Sequence, residues 1–224
     1  MRSCLLICLT LVLVLAEAIL LSYTYRGFTF QKNMQIRMLE QSKPPEFAEK
    51  TMVEQKGIFF ETVASEHVLP IPENKPSSKT LVKLGVRISN NTQKSMRFCS
   101  YDTIFPNLIE QNGKHLQLEG GRNVSRLIRE SDCPFVHPGE SVTFFLDGTL
   151  AWKNNKLQLE GPDRFGGLWR FEDLKPGIYG FRFTYHSSQE TVQISYPEQK
   201  ILTDIWTGQV ETPITEISLV LPHN

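Results

Sequence analysis

Residues 168–185 read "LWRFEDLKPGIYGFRFTY", and the second half of that run decides the fold. From Tyr179 onward an aromatic residue occupies every second position: Tyr179, Phe181, Phe183 and Tyr185, with Gly180, Arg182 and Thr184 between them. Side chains of a strand alternate between faces, so this spacing puts all four rings on one side of an extended segment. Each buried ring removes about 150–250 Å² from water, and a stripe of four is read as core rather than as an exposed carbohydrate platform. Just before it, "LKPG" supplies a turn through Pro176 and Gly177 and sets Tyr179 two residues after the glycine. A tyrosine so placed closes the corner between two sheets by hydrogen-bonding the backbone upstream.

The same period-two pattern runs from Leu81 to Leu221. Val82, Leu84, Val86 and Ile88 take one face of their segment, and Lys83, Arg87 and Ser89 take the other. Asn90-Asn91 turns the chain, after which Met96 and Phe98 point inward. Asn112-Gly113 and Asn154-Asn155 mark two hairpins, the first expected as a two-residue loop with positive φ angles. A Pro138-Gly139 turn leads into Val142, Phe144 and Leu146 on one side, and the last strand turns Ile217, Leu219 and Leu221 inward. The reading is all-β: an antiparallel β-sandwich over residues 80–224. Residues 24–79 read as a stalk or linker. It holds a short helical stretch around Gln31–Gln41, a first strand at 58–63 and a Pro/Ser-rich link at 70–79. Phe30, Met34 and Met38 recur at helical spacing, so a partner-binding helix is the alternative reading of that stretch.

The N-terminus, "MRSCLLICLTLVLVLAEAILLSY" (1–23), is apolar from Cys4 to Tyr23 apart from Thr10, Glu17 and Ser22. Its length suits a bilayer-spanning signal anchor over residues 4–23. Ala16-Glu17-Ala18 also has the form of a signal-peptide cleavage site. The first outcome leaves a membrane-anchored extracytoplasmic domain; cleavage near Ala18 leaves a secreted or periplasmic one. Cys4 and Cys8 are apolar fillers of this segment. Cys99 and Cys133 remain in the exported part, where a disulfide is permitted and only one pairing exists; two separate buried thiols are the alternative.

Lys plus Arg and Asp plus Glu number 24 each, and this balance excludes a nucleic-acid binder, which needs excess cationic side chains. Arg122, Arg126 and Arg129 are followed by Glu130 and Asp132 and read as a solvated strand face. The five histidines share no metal-ligand spacing, and no nucleophile elbow, P-loop or paired C-x-x-C occurs. Asp147, Glu160, Asp163, Glu172 and Asp173 gather near turns without a calcium-loop pattern. No catalytic, cofactor-binding or metal residue is assigned, and the chain is read as non-enzymatic. Gly120-Gly121 and Gly166-Gly167 read as loop glycines. Trp152, Trp169 and Trp206 read as core or cross-strand packing, with an exposed ligand surface at Trp152 and Trp169 as the alternative. Asn90 and Asn123 are glycosylation sequons if a eukaryotic pathway exports the chain.

Three stretches, "PGESVTFFL", "GLWRFEDLKPGIYGFRFTY" and "IWTGQVETPITEISLVL", together resemble exported bacterial immunoglobulin-like domains of a cyanobacterial type. That group has a similar "YDT…P…L" segment, matched here by Tyr101, Asp102, Thr103, Pro106 and Leu108, and "WTGQVETP" (206–213) is characteristic of it. The resemblance covers about residues 80–222. A more distant similarity is to the BsuPI-type proteinase inhibitor domain. The resemblance implies an immunoglobulin-like sandwich, brings no catalytic residues and, being bacterial, argues against glycosylation.

The expected function is a membrane-tethered or exported module for binding or envelope structure, with a protein or other envelope ligand as partner. A proteinase inhibitor is the alternative. Loops carry binding on such folds, and three are candidates. They are 101–107 with Tyr101, Asp102 and Phe105; 119–133 with Arg122 and Arg126; and 160–167 with Asp163 and Arg164.

Overall fold

The structure, a computed structural model, describes residues 51–122, 126–194 and 198–222. The apolar segment 4–23, the Ala18 cleavage site, the helical stretch at 31–41 and Asn123 lie outside the described residues. Among those described, no helix is long and apolar enough to cross a membrane.

The described residues form an all-β protein whose strands are almost all antiparallel. The larger sheet takes β1 (Val53–Gln55), β2 (Ile58–Ala64), β4 (Lys79–Asn90), β9 (Ser141–Lys153), β10 (Lys156–Pro162), β11 (Gly167–Leu174) and β7 (Glu119–Arg122), in that spatial order. The second sheet is built on β12 (Gly177–Ser187), which pairs with β6 (Ile104–Glu110), β15 (Gly208–Glu211) and β16 (Thr215–Val220). β3 (Val68–Pro70) adds to β16 in parallel. Two short ribbons complete the chain: β5 (Met96–Arg97) with β8 (Phe135–Val136), and β13 (Val192–Ile194) with β14 (Lys200–Leu202).

The alternation expected of the long strands is present. Val82, Leu84, Val86 and Ile88 are buried while Lys83 and Arg87 are exposed. The aromatic stripe of β12 is buried along its whole length, from Tyr179 to Tyr185. Both sheets contribute to one core: Phe60 of β2 lies 5.6 Å from Tyr185 and 5.1 Å from Trp206, ring centre to ring centre.

β11 belongs to one sheet and β12 to the other, so the Leu174–Gly177 link carries the chain between them. Tyr179 holds this link. The Lys175 N–H donates to its hydroxyl oxygen at 2.9 Å, and the hydroxyl donates to the Lys175 carbonyl at 3.0 Å.

Several expectations need correction. The sheets begin at Val53 rather than at residue 80, because Ile58, Phe60 and Thr62 alternate inward and β2 pairs with β4 along seven positions. The Pro/Ser-rich stretch is a covering loop that buries Ile71, not a free link. The Asn154-Asn155 hairpin forms, with φ of 50° and 59°. At Asn112-Gly113 only Gly113 is left-handed (φ 84°), giving a type I turn closed by a bulge instead of a two-residue loop. Leu221 is exposed, since β16 ends at Val220.

Trp169 and Trp206 are core residues, while Trp152 is partly buried and donates its indole N–H to the Pro72 carbonyl. Asn90 is fully buried. Both its amide protons are bonded, to the Lys94 and Val136 carbonyls, and its oxygen accepts from the Thr92 N–H and hydroxyl. Its capacity is spent, so a glycan has no access to it.

Candidate binding groove between two sheet edges

β6 has β12 as its strand neighbour and β7 has β11, so each is an edge of its sheet. The chain runs from one edge to the other through the turn at Glu110–Lys114, and the Leu116 N–H bonds the Leu108 carbonyl on the way. Between these edges lies a groove of about 280 Å³. Phe105, Leu118 and Leu168 stand at its mouth, 41, 38 and 41% exposed, and Leu146 and Trp169 form its buried floor. Pro106 lines the groove from β6 and offers no N–H for further strand pairing. Asp102, Glu119 and Asp163 supply the ionisable lining, and no Lys, Arg or His contributes to it.

The local sequence explains the uncovered leucine. In the β7–β11 register Leu168 faces Gly121 and Trp169 faces Gly120, so neither has a cross-strand side chain over it. Gly120 is therefore a strand residue and not a loop residue. A Cβ there would collide with the Leu168 carbonyl, which ties the groove's close backbone approach to that glycine. The Trp169 indole nitrogen is buried without an acceptor among the described residues.

Behind the groove the three candidate loops converge. Each is shorter than the sequence implies. Residues 104–107 belong to β6, and 160–162 and 167 belong to β10 and β11. Asp163 closes the tight link that remains, its Oδ1 accepting from the Phe165 and Gly167 N–H groups at 2.8 and 2.7 Å. Tyr101 packs edge-on against Phe165 at 4.9 Å, and the Arg126 guanidinium lies over the opposite contact of the same ring at 4.5 Å. Arg126 also bonds the Arg164 carbonyl through Nε and grips Asp132 with both terminal nitrogens at 2.8 and 2.7 Å.

Arg126 is thus committed to a buried carboxylate and a ring, and the expected solvated strand face does not exist there. Of the three arginines only Arg122 lies on a strand. Burial alone would raise the Asp132 carboxyl, but Arg126 and the Arg129 N–H overcome it and hold that pKa below the usual range.

Cys99 and Cys133 are joined in a disulfide across 34 positions of sequence. With Val192, Ile194, Leu202 and Ile205 they form a second, smaller core. Arg97 covers it, donating to the Cys133 carbonyl and to Glu130 while stacking on Phe135 at 4.1 Å. The Cys99 carbonyl accepts from Thr103 Oγ1 at 2.6 Å and from the Tyr185 hydroxyl at 2.8 Å. Burial, the largest influence, pushes the Tyr185 phenol far above its ordinary pKa.

Of the residues singled out from sequence, Asp102, Phe105 and Asp163 line the groove. Tyr101, Arg126 and the Arg164 carbonyl brace it from behind. Arg122 ends β7 opposite Gly167. Leu118, Leu168 and Trp169 escaped notice, although the glycine pairs opposite them were the available signal. Among the described residues no group of three or more His, Cys, Asp or Glu is arranged around a metal position. The groove's chemistry is that of a pre-shaped apolar mouth with an acidic border. Compared with family models, with curated proteins and with solved structures, the chain has no match.

Proposed function

We propose that the chain is a non-catalytic, immunoglobulin-like β-sandwich module that works outside the cytoplasm and captures a protein partner of the envelope in the groove between β6 and β7. Residues 4–23 tether it to the membrane, or are lost by cleavage near Ala18. Support for the sandwich reading comes from two sheets on one core and a tyrosine holding the link between them. The Cys99–Cys133 disulfide suits an oxidising compartment. The observation that carries the binding reading is the exposed rim of Phe105, Leu118 and Leu168 over a braced floor. Clustered exposed apolar side chains on an otherwise polar surface mark interaction sites.

The test is a photo-activated cross-linking residue placed at position 105 or 168 of the full chain in its own cells. Leu81, 71% exposed, serves as the apolar control. Adducts that form at 105 and 168 and not at 81 support the reading. The same adducts at all three sites, or none at 105 and 168, overturn it.

A further inference from the structure

A second concavity shares no lining residue with the groove. It lies between the tip of the β9–β10 hairpin and the loop at 74–79, and its volume is about 490 Å³. That falls within the range of about 300–1,000 Å³ typical of small-molecule sites.

The cleft is built from two sides. On one, Trp152 is partly buried and its orientation is fixed by the 2.8 Å hydrogen bond from its indole N–H to the Pro72 carbonyl. Asn154 and Asn155 follow at the hairpin tip, both left-handed, so their amides project from a rigid two-residue turn. On the other side Asn74 reaches across, its Nδ2 bonding Asn155 Oδ1 at 3.4 Å. Ser77 and Ser78 add hydroxyls to the same wall.

The chemistry of this lining selects among ligand classes. Planar amides and hydroxyls both donate and accept, which suits a ligand carrying many hydroxyl groups. One indole surface offers an apolar contact without a deep apolar pocket. A polyanion would need unpaired cations, yet Lys153 is paired with Glu160 and Lys75 with Glu73. A peptide would need a row of apolar anchors or an open strand edge, and the hairpin tip offers neither. From this we infer that the cleft is a second binding site whose ligand is a neutral saccharide, stacked on Trp152 and held by the amides of Asn74, Asn154 and Asn155. The site stands independently of the groove.

The experiment is calorimetric titration of the full chain with maltotriose, cellotriose and chitotriose as probes, each taken to about 10 mM, a range that reaches dissociation constants near 1 mM. At least one trisaccharide is expected to bind saturably. Trp152→Leu removes the stacking surface and abolishes that binding. Because Trp152 also holds Pro72, Asn155→Gly is the decisive second variant. Glycine keeps the left-handed turn, so the fold and its thermal midpoint persist, while loss of the amide weakens binding about three- to tenfold. Leu168→Ser, in the groove, binds as wild type.

No saturable binding by any of the three sugars overturns the inference. So does an Asn155→Gly variant that binds as tightly as wild type, and so does an equal loss in Leu168→Ser.

Discussion

Tyr179→Phe removes a single oxygen and leaves the buried ring in place, so it isolates the hydrogen bonds that hold the link between the sheets. Two are lost, one accepted from the Lys175 N–H and one donated to the Lys175 carbonyl. Each such bond contributes about 0.5–1.5 kcal/mol net. Lys175 itself is exposed, so its freed backbone groups turn to water and the larger penalty for a buried orphan does not apply. The expected destabilisation is therefore about 1–2 kcal/mol. A domain of this size shifts by about 2–4 °C per kcal/mol, which gives a fall of about 3–6 °C in thermal midpoint.

The assay is thermal and urea unfolding followed by tryptophan fluorescence, with an unchanged urea slope showing that the folded state is otherwise intact. Alkaline pH supplies a second reading. Burial, ahead of the other influences, raises the Tyr179 phenol above its ordinary pKa. A raised folded pKa means stability is full below the unfolded value of about 10 and is lost as pH climbs past it. The variant should lose part of that alkaline sensitivity, and Tyr185 retains the rest. A Tyr179→Phe protein with an unshifted midpoint and an unchanged alkaline profile would refute the claim that the hydroxyl closes this link.

Two further outcomes are expected. Replacing both Cys99 and Cys133 by serine releases a loop of 34 positions, which on a chain-entropy argument lowers stability by about 3–4 kcal/mol; urea unfolding of the double variant against wild type measures it, and a difference below 1 kcal/mol contradicts it. Asp132→Asn leaves Arg126 facing a neutral amide and weakens three hydrogen bonds to a buried carboxylate, for a loss of about 2–3 kcal/mol. Because the folded Asp132 pKa is depressed, its contribution is present above about pH 4 and disappears as pH falls through the lowered value, so the gap between wild type and variant should close in acid.

What the sequence made legible follows a local rule, and what it hid depends on topology. The stripe 179–185 and the alternation 82–88 are set by the two-residue period of a strand and need no knowledge of neighbours. Asn154-Asn155 is equally local, since only a few residues accept two successive left-handed positions. The inclusion of residues 53–70 in the sheets was hidden because the loop at 70–79 has no periodicity, although Ile58 and Phe60 carried the signal. The edges that flank the groove follow from strand order, and strand order is not written in any single segment. Leu168 and Leu118 therefore looked like ordinary strand leucines. They become exposed because their neighbours are glycines or because no strand continues the sheet beyond them.

Fold and site nevertheless answer to one constraint. Tyr185 is the last ring of the inward stripe, and its hydroxyl bonds the carbonyl of Cys99. Cys99 is covalently tied to Cys133, one residue beyond the carboxylate that anchors Arg126, and Arg126 in turn seats Phe165 against Tyr101. The groove's braces are thus an extension of the core of β12. A register slip of one residue would turn Tyr185 outward together with the other three rings, and the chain of contacts behind the groove would lose its origin. Residues so fixed lose little further freedom when a partner docks, which is the condition under which a groove of only about 280 Å³ can bind usefully.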